Sequence, residues 1–210
     1  MAEQHNVYIQ SSSEDDTPCP RPSSTLIQPP TPRPPSWPWS SSSPSSRPQD
    51  SHPLYPWAIL YPCVVRSYDY MLSNGILVIK GHVQCKICSQ DYEMQLDLMA
   101  ELAKLRSFIE RNKDNMRERA PPYWLKPILP TCPVCGRQNS VKPVIDPEND
   151  DNTNWLFLLL GQLLGCCTLE QLKFFCNLHG IHRSGAKDRL LFSVYLNLCK
   201  QLDPSAAFDL

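Results

Sequence analysis

The sequence predicts an α+β fold: a small antiparallel, zinc-ribbon-like sheet, a long inserted helix and a C-terminal helical section, behind a disordered Pro/Ser-rich N-terminus. Three observations carry this. Two Cys-x2-Cys pairs, Cys85/Cys88 and Cys132/Cys135, stand beside segments with strand patterning. An amphipathic run from about Leu98 to Arg119 fills much of the gap between the pairs. The last 55 residues then carry apolar side chains at helical spacing.

Residues 1–53 form the first region. Fourteen of the chain's 22 prolines fall within the first 62 residues, and Ser is dense among them. Such a segment has too little apolar surface to offset its ordering entropy, so disorder with polyproline II character is expected. Thr17-Pro18, Thr31-Pro32 and Ser43-Pro44 suit proline-directed phosphorylation, although a Pro/Ser-rich composition also produces such dipeptides. The start, "MAEQHNVYIQSSSEDD", has neither the basic nor the apolar region of a signal peptide. A nuclear or cytoplasmic location with reduced thiols is the expectation, and paired cysteines then read as metal or redox groups before disulfides.

Residues 54–210 form one domain. "DYMLSNGILVIKGHVQC" offers an Asn74-Gly75 turn signal and a β-branched strand over Ile76–Val83. Tyr92, Met94 and Leu96 alternate with Glu93, Gln95 and Asp97, the pattern of a half-buried strand, so Cys85 and Cys88 fall at a hairpin tip. The helix that follows places Leu98, Leu102, Leu105, Ile109 and Met116 on one face, with an Arg106–Glu110 pair on its exposed side. Pro121 and Pro122 stop it. "LPTCPVCGRQNSVKPVI" supplies a second turn and a short strand, and "DPENDDNTN" an acidic linker. Trp155–Cys167 is the longest apolar run, but 13 residues interrupted by Gly and Gln fall short of the roughly 20 of a spanning helix. It reads as a buried core helix, and no membrane role is expected. Thr168 and Gln171 have capping-box spacing, Ser184 suits a second N-cap, and Leu190, Leu191, Val194, Tyr195 and Leu198 point inward from the final helix.

The pairs Cys85/Cys88 and Cys132/Cys135 are separated by 43 residues. A Cys-x2-Cys knuckle aims backbone N–H groups at its sulfurs and supplies two thiolates, and tetrahedral Zn²⁺ takes four. Two knuckles on hairpin turns therefore close one structural zinc site, Cys85, Cys88, Cys132 and Cys135, with no open position. Pro133 biases the second turn, and Gly136 admits the positive φ where the chain leaves it. A thioredoxin-like dithiol is the competing reading, but neither pair opens a helix. A zinc deaminase needs a His-x-Glu near the pair, and His82-Val83-Gln84 lacks the carboxylate. His82 is then an ordinary strand residue. Cys176, His179 and His182 have the spacing of a second half-site, although helix-core packing explains them more simply. Cys63 and Cys199 read as small buried residues.

The blocks "DYMLSNGI", "VQCKIC", "RAPPYW", "LPTCPVCGRQNSVKPVI", "NWLFLLLGQLLGCCTLEQLKFFC" and "HRSGAKDRLLFSVYLNLCKQLDP" resemble a plant family of uncharacterised proteins, known as a domain of unknown function, over roughly residues 54–210. The resemblance implies no activity. A second likeness, of "TLEQLKFFCNLHGIHRSGAKDRLLFSVYLNL" to the two-helix SAP motif of chromatin proteins, implies phosphate contacts from His182, Arg183, Lys187 and Arg189. Net charge is −1, and residues 57–210 carry 17 Lys and Arg against 16 Asp and Glu. That balance favours a protein partner over nucleic acid, which needs a cationic footprint. The functional expectation is a non-enzymatic, zinc-stabilised interaction module. A SAP-like nucleic-acid-associated protein and a thiol oxidoreductase are the alternatives.

Overall fold

The computed structural model of the chain describes residues 54–59, 63–146, 150–182 and 185–205. The N-terminal region 1–53, with its Thr-Pro and Ser-Pro dipeptides, lies outside the described residues. The elements are α1 (Tyr68–Ser73), β1 (Val78–Cys85), β2 (Asp91–Asp97), α2 (Leu98–Met116), α3 (Pro122–Leu125), β3 (Val141–Pro143), α4 (Trp155–Leu160), α5 (Leu169–Leu178) and α6 (Lys187–Leu202), with 3-10 turns at Asp150–Asn152 and Leu164–Cys166. The architecture is α+β: a three-stranded antiparallel sheet in the order β2-β1-β3, packed with helices.

Asn74 and Gly75 do make a turn, but they end a helix rather than join two strands: Asn74 caps α1, and Gly75 sits at φ 68°. β1 alternates, burying Ile79, Gly81, Val83 and Cys85 and exposing Val78, Lys80 and His82. Tyr92, Met94 and Leu96 of β2 are half-buried beside it. Gly81 is required here, because a Cβ would lie 2.4–2.6 Å from the ring carbons of Phe157, which packs flat on the strand.

Asp97 caps α2, its carboxylate accepting from the Ala100 N–H at 2.7 Å. The five residues expected on the inner face, Leu98, Leu102, Leu105, Ile109 and Met116, are all buried. The helix ends at Met116 rather than Arg119, because Arg117 and Glu118 turn into the left-handed region at φ 44° and 58° before the prolines are reached. Pro122 instead opens α3, where its missing N–H loses no bond. Arg106 pairs with Asp203, just past α6, and not with Glu110, so this charge fastens two helices together.

Every residue of α4 is buried, which accounts for its all-round apolar sequence. The helix is six residues long and stops at Gly161; Gln162 then takes φ 52° and its side chain accepts from the Trp124 indole N–H at 3.1 Å. Trp124 stacks on Tyr195 with ring centroids 3.8 Å apart. Both are fully buried, and each such side chain contributes about 1.5–3 kcal/mol of hydrophobic stabilisation. The Thr168/Gln171 capping box forms at α5. α6 begins at Lys187 with Ala186 as its N-cap, in place of the expected Ser184, which lies outside the described residues. Leu190, Leu191, Val194, Tyr195 and Leu198 of α6 face inward. Among the described residues, no helix is long and apolar enough to cross a membrane.

Candidate metal centre

The two Cys-x2-Cys segments fold into matching knuckles. In the first, the Cys85 N–H donates to the Gln90 carbonyl at 3.0 Å, and the Ser89 N–H to the Cys85 carbonyl at 2.9 Å. In the second, the Cys132 N–H donates to the Arg137 carbonyl and the Gly136 N–H to the Cys132 carbonyl, both at 2.9 Å. The fifth residue of each turn is left-handed, Ser89 at φ 56° and Gly136 at φ 68°. The second knuckle thus has the residue type that this backbone favours, and the first does not.

The knuckles are held face to face by the sheet. Cys85 is the last residue of β1 and pairs with Val141 of β3, and one step further the Lys86 N–H donates to the Ser140 carbonyl at 2.9 Å. This brings the sulfurs of Cys85, Cys88, Cys132 and Cys135 within 4.8 Å of one another. Cys85 Sγ lies 3.7 Å from Cys135 Sγ, and Cys88 Sγ lies 3.7 Å from Cys132 Sγ. A regular tetrahedron with metal–sulfur bonds of about 2.3 Å has edges of about 3.8 Å. The separations are nearly double a disulfide bond, which is about 2.05 Å. All four cysteines are free thiols whose spacing can hold a metal ion.

The thiols of the cluster also perturb one another. The Cys88 N–H, opposed by desolvation and assisted by the Ile87 N–H and the Ser140 hydroxyl, lowers the Cys85 thiol from 9.0 to about 6. Cys88 moves the other way, up to about 12: the Gln90 N–H favours its thiolate, but desolvation and the sulfurs of Cys85, Cys132 and Cys135 outweigh that. Desolvation, followed by the charges of Cys132, Cys85 and Cys88, raises the nearby Tyr92 phenol.

Two contributors are not singled out by the sequence reading. Ser140 is buried, with its Oγ 3.6 Å from Cys85 Sγ and its hydroxyl donating to the Arg137 carbonyl at 2.7 Å. Ser89 takes the strained turn position. The only signal for Ser89 is its offset from a cysteine, which matches that of Gly136 once the two knuckles are aligned; Ser140 has none.

The other sulfurs stay apart from this centre. Burial pushes Cys63, Cys167 and Cys199 up to about 12 and raises Cys166, which leaves them weakly nucleophilic. Cys176, His179 and His182 form no ligating group among the described residues: Cys176 is buried in α5, His179 Nε2 lies 3.2 Å from the Cys63 carbonyl, and His182 is exposed. Of the residues proposed for phosphate contact, Lys187 donates to the Gly165 carbonyl at 2.9 Å, and Arg183 lies outside the described residues. His82 is an exposed strand residue opposite Glu93.

A family model described as "Domain of unknown function (DUF7086)" matches residues 68–202, more than half of the chain, and its span takes in both knuckles. No curated protein and no solved structure matches the chain.

Proposed function

Because the chain belongs to the DUF7086 family, whose description assigns no activity, we propose from the site's own chemistry that it is a non-enzymatic interaction module clamped by one structural Zn²⁺. The observation that carries this is the convergence of four cysteine sulfurs at tetrahedral spacing. Four thiolates fill the coordination sphere of zinc, so no position is open to water or substrate. In this reading the sheet and its two knuckles are a zinc-ribbon-like unit, elaborated by α2 and closed by the helices, in a plant family and in the nucleus or cytoplasm.

The partner is a protein. Ile87 and Val134 occupy the same position in the two knuckles and are 60% and 65% exposed. Apolar side chains at the tips of a rigid, metal-locked turn suit a protein surface better than a phosphate backbone. The near balance of charge points the same way. The nucleic-acid alternative is weakened by the internal engagement of Lys187. The oxidoreductase alternative is weakened because neither pair stands at a helix N-terminus.

The test has two arms. Elemental analysis of the purified full chain is expected to give one zinc per molecule. Affinity capture is then compared between wild type and an I87D/V134D variant that keeps its zinc. Loss of the captured proteins in the variant supports the reading. A metal-free folded chain purified with its thiols kept reduced, or capture unchanged by the double substitution, overturns it.

A further inference from the structure

The four sulfurs are not equivalent. Cys85 and Cys132 are fully buried, Cys88 is half-buried, and Cys135 is exposed. The 3.7 Å contacts run between the knuckles, Cys85 to Cys135 and Cys88 to Cys132. An oxidant in solvent therefore meets Cys135 first, and the sulfur lying against Cys135 belongs to the other knuckle. We propose that Cys135 is a site of oxidative modification by hydroperoxides, and that its oxidation exchanges the metal for two cross-knuckle disulfides, Cys85–Cys135 and Cys88–Cys132. This inference rests on the zinc reading above.

The chemistry balances. The Cys135 thiolate attacks one oxygen of hydrogen peroxide and breaks the O–O bond. With one proton taken from solvent, this yields a sulfenic acid and water. The Cys85 thiolate, 3.7 Å away, attacks the sulfenic sulfur and expels the oxygen as a second water after another proton is taken up. Two sulfurs are oxidised and one peroxide is reduced. The remaining pair, Cys88 and Cys132, cannot hold the ion alone, and it repeats the sequence with a second peroxide. In sum, one zinc tetrathiolate, two peroxides and four protons give two disulfides, one Zn²⁺ and four waters.

The pairing has a structural consequence that the alternative pairing lacks. Disulfides within each knuckle, Cys85–Cys88 and Cys132–Cys135, would let the two turns separate. Cross-knuckle disulfides join the same two turns that the metal joined, so the sheet register Cys85↔Val141 is kept after the ion has left. The oxidised chain is a metal-free form of the same fold.

The experiment uses the full chain with C19S and C166S substitutions, which remove one thiol from the N-terminal region and the half-exposed one from the helical section. Zinc content is measured first, and that arm tests the zinc reading on its own. Hydrogen peroxide is then titrated while released zinc is followed with a chromogenic chelator and disulfides are mapped by non-reducing peptide mass spectrometry. The expected result is complete release at two peroxides per zinc, Cys85–Cys135 appearing before Cys88–Cys132, and zinc uptake restored by a thiol reductant. Zinc retained against a large excess of peroxide, or disulfides found within the knuckles, overturns the proposal. If the purified chain holds no zinc, the zinc reading fails, and the mapping of the oxidised thiols still decides the pairing.

Discussion

Replacing Gly81 by Ala tests the way the sheet is married to the helical core. Gly81 lies in the middle of β1, opposite Met94, and the ring of buried Phe157 rests on it. A new Cβ would meet Phe157 Cγ at 2.4 Å, where ordinary contact begins near 3.4 Å. The ring must retreat by about 1 Å into an interior packed as tightly as an organic crystal. Overpacking of this kind costs about 1–3 kcal/mol. Ala recovers about 0.5–1 kcal/mol, because Gly is a poor strand residue. The net expectation is a loss of about 1–2 kcal/mol, a Tm drop of about 2–8 °C for a domain of this size. Phe157→Ala alone should cost about 3–5 kcal/mol through the cavity it opens. In that background Gly81→Ala has no ring to strike, so its cost should vanish or reverse. Urea unfolding of the four zinc-saturated proteins closes a double-mutant cycle with an expected coupling of about 2 kcal/mol. Equal destabilisation by Gly81→Ala in both backgrounds would refute the steric account.

Three further outcomes are expected. Cys85→Ser should abolish stoichiometric zinc, whereas Cys199→Ser, in the helical core, should retain it, and elemental analysis of both purified variants distinguishes them. Ser89→Gly should stabilise the domain by about 0.5–1 kcal/mol, by relieving the left-handed residue of the first knuckle, and Gly136→Ala should destabilise it by about 1 kcal/mol; chemical denaturation reads both. His179 is held below its usual 6.5 by desolvation, against the opposing hydrogen bond to the Cys63 carbonyl. Since the unfolded chain takes up this proton first, the contribution of neutral His179 is present above pH 6.5 and declines as pH falls through the folded value. Stability measured between pH 7.5 and 5 should lose part of its slope in His179→Gln.

The elements most legible in the sequence were those governed by local periodicity. α2 is an example, because five apolar residues at helical spacing have one face to bury, and all five bury it. The convergence of the four cysteines was also legible, since Cys-x2-Cys is a local geometry that supplies half of a four-sulfur set until a second knuckle arrives. Features set by tertiary partners were not legible. Arg106 has Glu110 at favourable spacing along its own helix, yet pairs with Asp203, 97 residues away. The run Trp155–Cys167 is apolar apart from Gln162 and two glycines, but only six residues of it form α4. Hydrophobicity alone signals burial there and does not show where the chain turns. Asn74-Gly75 marks a left-handed turn correctly, and the same signal serves a helix end as well as a hairpin. Ser140 had no signal, because its role depends on the return of β3 to β1.

The position of β1 between a near neighbour and a distant one sets an order on assembly. β2 follows β1 after a five-residue turn, so this hairpin and the first pair of thiols can form within microseconds. β3 and the second pair come back only after an excursion of 43 residues between Cys88 and Cys132, and closing a loop of that length costs about 3 kcal/mol or more. In the zinc reading a chain during this interval carries half a coordination shell, two sulfurs that bind an ion only weakly until two more arrive. In dilute solution the chain's own second knuckle supplies them. In a crowded preparation the knuckle of a neighbour can do so first, and the ion then bridges two molecules. Refolding yield should therefore fall with protein concentration when zinc is added at the start, and recover when zinc is withheld until the helices have packed.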